Sequence, residues 1–400
     1  MLSIVAVTTK IQLGGETSTD KPLIFKPGSN VYKSKNIDIQ TVVFYPLLEK
    51  AKILHPVLAY RDRYGILWVW GREGIIGING KGGYISERKD IEATAMLCTV
   101  SGETWLGCRA KGNLVFGRNE IGKILTTKEI KVENSNIDDL KNTTNVIFED
   151  SDRNIWLGTR DGLYMIPPTE SNSIINIRND INVLSTPSHS TICGVYSDSK
   201  NNIWLATSNG LNKLIYNEIL KGEYTIERYY DNRSIEDQII NNKLECIVED
   251  DNGILWIGTK EHITLFDPST KRFRQREEIT KKEIDYGLSF VRSLCKDSDG
   301  NIWAGYSSNG LAAYFKDEER FAPLTISSNG VSLDNCTSIT FDKQGVIWAS
   351  DRHKGLFSFR IRKPVRTIYE MKHYPFSEYN YGKENQTTVT KVYADRNNTI

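Results

Sequence analysis

Short apolar runs bounded by Asn, Asp and Gly fill most of this chain. Ile155-Trp156-Leu157, Leu255-Trp256-Ile257 and Ile302-Trp303-Ala304 are typical. Each is apolar on both faces, as expected of a strand packed between sheets. A second run precedes each one, separated by a turn such as Asp299-Gly300-Asn301 or Asn252-Gly253. Two β-rich runs joined this way predict a β-hairpin. No stretch sustains the 3.6-residue period of a helix, and Asn136–Leu140 and Glu278–Ile284 are too short to matter.

The hairpins recur. Six times an Asp is followed six residues later by a Trp: Asp62/Trp68, Asp150/Trp156, Asp198/Trp204, Asp250/Trp256, Asp297/Trp303 and Asp342/Trp348. Trp105 stands in a seventh copy that has Thr99 in place of the Asp. Successive tryptophans of the pattern lie 37, 51, 48, 52, 47 and 45 residues apart. Ile147, Val195, Ile247, Leu294 and Ile339 sit three residues before their Asp, and Ile192, Leu244 and Val291 six before it. Gly158, Gly258 and Gly305 follow the Trp run, and in most copies a Gly-Leu step comes next, as in Gly162-Leu163 and Gly310-Leu311.

Three or four short strands in about 50 residues make one small antiparallel sheet, the size of a propeller blade. The pattern therefore predicts an all-β fold, a seven-bladed β-propeller of four-stranded antiparallel blades over residues 51–385. Residues 1–50 form an N-terminal segment whose run Thr41–Tyr45 is expected to give a ring-closing strand, since an open blade edge invites aggregation. Val389, Val392 and Asp395 repeat the six-before, three-before and Asp positions. Residues 386–400 thus read as the start of a further repeat that opens a second propeller in a longer parent.

The recurring residues are expected to be structural. Trp fills the wedge between neighbouring sheets, Gly permits close approach or a positive φ, and Asp caps the turn by accepting backbone N–H groups.

The run Asp150 to Leu163, ending Ile155-Trp156-Leu157-Gly158-Thr159-Arg160-Asp161-Gly162-Leu163, resembles the two-component regulator propeller repeat. The resemblance covers roughly residues 52 to 400. Trp70, Ala206 and Ser350 depart from its Gly, and Thr99 from its Asp. It implies the periplasmic sensor region of a hybrid two-component receptor that detects glycan oligosaccharides and regulates their use. The parent would carry a second propeller, a membrane-anchored remainder with a histidine kinase, and form a homodimer. A protein-interaction scaffold propeller, or a propeller polysaccharide lyase or glycosidase, is the alternative.

Composition narrows the chemistry. Lys and Arg number 51 against 50 Asp and Glu, which argues against a nucleic-acid partner. No run of 18 apolar residues exists to span a membrane as a helix. The six cysteines show no metal spacing, and the five histidines do not pair at ligand distance in sequence. Gly77–Gly83 lacks the Lys-Ser or Lys-Thr step of a phosphate loop. No catalytic residue, metal or cofactor is assigned.

Propellers carry function on the loops at one end, here those after each Trp strand and those leading into the next first strand. The candidate ligand-binding residues there are Arg72, Arg109, Lys111, Arg160, His189, Lys260, His262, Tyr286, Asn309, Arg352 and His353. The loops after the Trp strands bring seven Lys or Arg and four Asp or Glu, which hints at an anionic oligosaccharide. The same ring is poor in aromatics.

Overall fold

The computed structural model describes 7–12, 36–41, 56–61, 67–71, 74–78, 84–89, 93–109, 112–116, 126–130, 143–168, 174–180, 182–217, 223–230, 242–274, 289–318, 320–324, 326–328, 331–341, 345–351, 355–362 and 367–374. Strands dominate these residues, and one 3-10 turn at Lys316–Glu318 interrupts them. The chain divides into two compact units. One comprises Met1–Ala93, Asn119–Ile124 and Asp297–Ile400, the other Thr94–Arg118 and Leu125–Lys296.

The second unit is a succession of four-stranded antiparallel meanders. Their strands are 93–98, 104–108, 112–116 and 126–130; then 144–149, 155–159, 162–166 and 175–177; then 192–197, 203–207, 210–217 and 223–229; then 244–249, 255–259, 263–267 and 272–274. Val291–Lys296 ends the unit and packs on 244–249 and 255–259. The first unit holds the sheet 56–61, 67–71, 74–78 and 84–89 and the sheet 336–341, 346–351, 355–362 and 367–374. Between them in sequence, 302–306, 310–315 and 320–324 pair in succession. In each of these four-stranded sheets the Trp strand is the second.

Asn36–Thr41 pairs with Val7–Gln12 and lies beside Thr367–Tyr374. The run expected to close the ring, Thr41–Tyr45, falls mostly outside the described residues.

One side chain organises each hairpin. The Asp198 Oδ1 accepts the backbone N–H groups of Lys200 and Asn202 at 2.9 and 2.8 Å, and its Oδ2 accepts the Trp204 indole N–H at 2.8 Å. Asp150 and Trp156, Asp250 and Trp256, and Asp297 and Trp303 repeat this at 2.7, 3.1 and 2.9 Å. A carboxylate that accepts several N–H groups makes short, strong bonds, and it leaves the buried indole donor satisfied. The copy without Asp divides the work. Thr99 Oγ1 accepts the Glu103 N–H at 2.9 Å, while the Glu103 carboxylate faces the Trp105 indole at 3.4 Å. Asp62 and Asp342 lie outside the described residues.

Tryptophan wedges join consecutive sheets. Trp156 and Trp303 are fully buried. Trp156 meets Tyr224 of the next sheet edge-on at 5.3 Å, and Trp204 meets Phe266 at 5.5 Å. Two residues past the Trp, a Cβ on Gly158 would stand 2.6 Å from Val146 and 2.9 Å from Ile192 of the next first strand. Where Ala206 occupies this position, the residue paired with it is Gly194, so one missing side chain compensates for the other.

A third link was not visible in the repeat consensus. The residue just before the repeat Asp reaches back to the turn of the preceding sheet. Glu149 accepts the Val100 N–H at 2.7 Å, Glu249 accepts the Ser199 N–H at 2.6 Å, and Lys296 pairs with Asp251 at 3.1 Å.

Replacing Asp198 with Ala leaves a buried indole donor and two turn N–H groups unpaired, and should cost about 2–4 kcal/mol in chemical denaturation. Gly158→Ala should cost about 1–3 kcal/mol by overpacking. Trp156→Ala should cost ~3–5 kcal/mol. An unchanged unfolding midpoint would contradict the lock for the Asp198 variant and the wedge for the other two.

Candidate functional site

The loops after the Trp strands are set by a threonine. Thr159, Thr207 and Thr259 each close the turn to the third strand by donating to a carbonyl, of Gly162, Gly210 and His262, at 2.8–2.9 Å. Each also accepts one or two turn N–H groups, as from Glu261 and His262 at 3.1 and 3.0 Å. This is the Ser/Thr turn, in which a short hydroxyl replaces a backbone partner. It leaves the side chains of Arg160, Ser208 and Lys260 on the rim.

Incoming loops join the same rim. In the second unit, Ser208 N–H donates to the Thr191 carbonyl at 3.2 Å and Gly210 N–H to that of Asn242 at 2.7 Å. Ser289 N–H donates to the Glu261 carbonyl at 2.7 Å. Thr191 Oγ1 donates to the Arg160 carbonyl at 3.3 Å, and His189 Nδ1 accepts the Thr191 N–H at 2.9 Å. Buried Asn212 latches this loop through Ser188 at 2.8 and 2.9 Å. Arg160 and His189 therefore share one neighbourhood. Burial holds the His189 pKa below its ordinary value.

The densest chemistry lies farther along the same rim. The Arg292 guanidinium stacks 3.9 Å from the centre of the Phe290 ring. The Lys260 ammonium is 5.7 Å from that ring and 3.8 Å from the Glu245 carboxylate. His262 and Glu261 share the Lys260 turn. An aromatic plate flanked by two cations and one carboxylate can take a ring with an apolar face, hydroxyl donors and an anionic substituent.

The family model described as two component regulator propeller matches residues 238–261 and 285–308. The chain carries two-component regulator propeller repeats. Glu245 and Lys260 lie in the first matched repeat, Phe290 and Arg292 in the second. No curated protein is significantly similar in sequence to the chain. Among solved structures, an extracellular domain described as part of a hybrid two component system of B. thetaiotaomicron aligns at a TM-score of 0.57 and 20% identity. That alignment covers 76% of this chain and 39% of the other, so the chain spans about two-fifths of that protein's length. A streptogramin B lyase aligns at 0.54 and 14% identity, covering 74% of this chain and 90% of its own. The virginiamycin B lyase of Staphylococcus aureus aligns at 0.55 and 15% identity, covering 74% and 91%. At these identities the likeness is one of fold: an all-β, propeller-like array of four-stranded antiparallel sheets.

Of the residues that sequence singled out, Arg109, Arg160, His189, Lys260 and His262 lie at loop positions of the second unit. Arg109, Arg160 and Lys260 are exposed. Asn309 is exposed in the first unit, in a turn that meets the incoming loop through the Gly310 N–H on the Asp334 carbonyl at 2.8 Å. Arg72, Lys111, Tyr286, Arg352 and His353 lie outside the described residues. Glu245, Phe290 and Arg292 were missed. Glu245 and Arg292 stand five residues before their Asp, where other copies have Thr94, Asn145, Cys193 and Thr337. A charge at a position otherwise neutral was the available signal. Phe290 supplies the aromatic face that the loop inventory lacked.

Protonation of His189 removes the acceptor for the Thr191 N–H. Its pKa is lower folded than unfolded, so the unfolded chain binds more protons between the two values. Its contribution to stability is present above the unfolded value of 6.5 and is lost as pH falls through the folded one. The melting temperature of the parent should therefore drop more between about pH 7 and pH 5 than that of His189→Asn, measured calorimetrically.

Proposed function

We propose that this chain is the ligand-sensing propeller of a hybrid two-component receptor, periplasmic, non-catalytic, and specific for an oligosaccharide bound on the loop rim. The Phe290–Arg292–Lys260–Glu245 cluster carries this reading. A sugar ring pairs an apolar face with hydroxyls, which suit the Phe290 ring and the Glu245 carboxylate. Arg292 and Lys260 add charge-assisted bonds that favour an anionic glycan bearing carboxylate or sulfate. This reading also assigns ligand contact to Arg109, Arg160, His189, His262 and Asn309, and to Arg72, Lys111, Tyr286, Arg352 and His353.

In this reading residues 51–385 close as seven blades. Support comes from Pro56–Arg61, which packs against Val346–Asp351 and Gly355–Arg362 within one unit, bringing the first copy to the last. The 39% coverage of the similar extracellular domain supports a longer sensor region. That region would include a second propeller beginning at 386–400, a membrane-anchored kinase remainder and a homodimeric receptor.

Calorimetry on the full sensor region against neutral and anionic oligosaccharides tests the proposal. An anionic fragment should bind, and Arg292→Met should weaken it by about tenfold, roughly 1.4 kcal/mol, while sparing neutral sugars. Phe290→Ala should weaken both. Silence across the panel would favour a scaffold role, and turnover of any polysaccharide would favour a lyase or glycosidase.

A further inference from the structure

A cavity of about 610 Å³ opens at the other end of the second unit, among the Asp turns. It lies between the sheet 144–177 and the sheet 192–229, and unequal strand lengths create it. The fourth strand of the first sheet is only Ile175–Ile177. In the second sheet, Leu214 pairs with Ile203, where the Trp strand begins, yet the third strand runs on to Asn217. Ile215, Tyr216 and Asn217 pair only with Thr225, Tyr224 and Glu223, so this hairpin overhangs. Tyr224 rests edge-on against Trp156 at 5.3 Å, and the space beneath is the cavity.

Two features set this cavity apart from an ordinary groove between sheets. Among the described residues, the turn residue three after the repeat Asp, or after Thr99, has a positive φ, and it is Gly at 102, 253, 300 and 345. In the two turns that border the cavity it is Arg153, at φ 72°, and Asn201, at φ 62°. Asn201 lines the cavity, whereas the Arg153 side chain pairs with the Glu149 carboxylate at 3.4 Å and takes no part in the lining. Secondly, the walls carry opposite charges. Asp152 comes from the turn of one sheet and Lys213 from the third strand of the next. Asp150 also reaches the cavity, but its carboxylate is occupied by the N–H groups of Asp152, Asn154 and Trp156. Apolar Met165 and Ile203 line it with Tyr224, beside Ser and Asn residues from both sheets.

We propose that this cavity is a second binding site, for a zwitterionic ligand: a free amino acid or short peptide with an apolar side chain. The ammonium group faces Asp152, the carboxylate faces Lys213, and the side chain packs on Tyr224, Met165 and Ile203. A ligand of one sign would meet a like charge on one wall, whereas a zwitterion matches both. The cavity is independent of the loop rim, so failure of either reading leaves the other standing.

The test is calorimetry on the 400-residue chain with phenylalanine, leucine and their dipeptides, beside N-acetyl-phenylalanine and phenylalanine methyl ester. Free amino acids binding more tightly than dipeptides would identify the first source, and the reverse order the second. Either blocked derivative should bind about tenfold more weakly than phenylalanine. Asp152→Asn should abolish discrimination against the acetylated form alone, and Lys213→Met discrimination against the ester alone. Both variants should melt with the parent. Absence of heat at millimolar ligand, or binding indifferent to both substitutions, overturns the proposal. Tighter binding of a neutral disaccharide that displaces phenylalanine would overturn the ligand class.

Discussion

The bond from a tryptophan indole to the carboxylate six residues upstream is the constraint on which the rest depends. One Asp side chain closes the turn through two backbone N–H groups and, with its other oxygen, fixes the rotation of the Trp ring. Without that acceptor the ring could be buried only with an unpaired donor, which costs more than a bond contributes. The copy built on Thr99 and Glu103 shows that the requirement is for acceptors at two places and not for Asp itself. The large apolar area that each ring buries then becomes available to hold one sheet against the next.

Sheet-to-sheet cohesion follows from three short-range contacts repeated along the array. Trp fills the wide part of the wedge, and the Gly two residues later lets the next first strand approach. The residue before the Asp grips the preceding turn. Each contact joins a sheet to its nearest neighbour, the arrangement that gives repeat proteins their additive stability. The pairing of Gly194 with Ala206 shows how closely volume is conserved at the narrow part, where a methyl group on one strand is matched by its absence on the other.

Because cohesion uses the strands and the Asp turns, the loops after the Trp strands are released from packing. Threonine turns hold their backbones while their side chains vary from copy to copy. That division of labour lets Arg160, Ser208 and Lys260 occupy equivalent positions with different chemistry, and it concentrates charge beside Phe290 and Arg292. At the turn end the lock leaves less freedom. The cavity there exists only because one hairpin outgrows its neighbour.

Sequence alone determined the hairpins, their period, the all-β class and the burial of the tryptophans. These rest on hydrogen bonds spanning six residues or fewer and on apolar periodicity within single strands. The turn role of Asp was also legible, although its bond to the indole was not. Tertiary structure decided what lies between copies. Glu149 meets Val100 across 49 residues and Glu249 meets Ser199 across 50. Phe290 meets Lys260 only because packing brings two loops distant in sequence together. Sequence spacing carries no metric for such contacts. They are fixed by the distance between packed sheets, which depends on the volumes of side chains contributed by both.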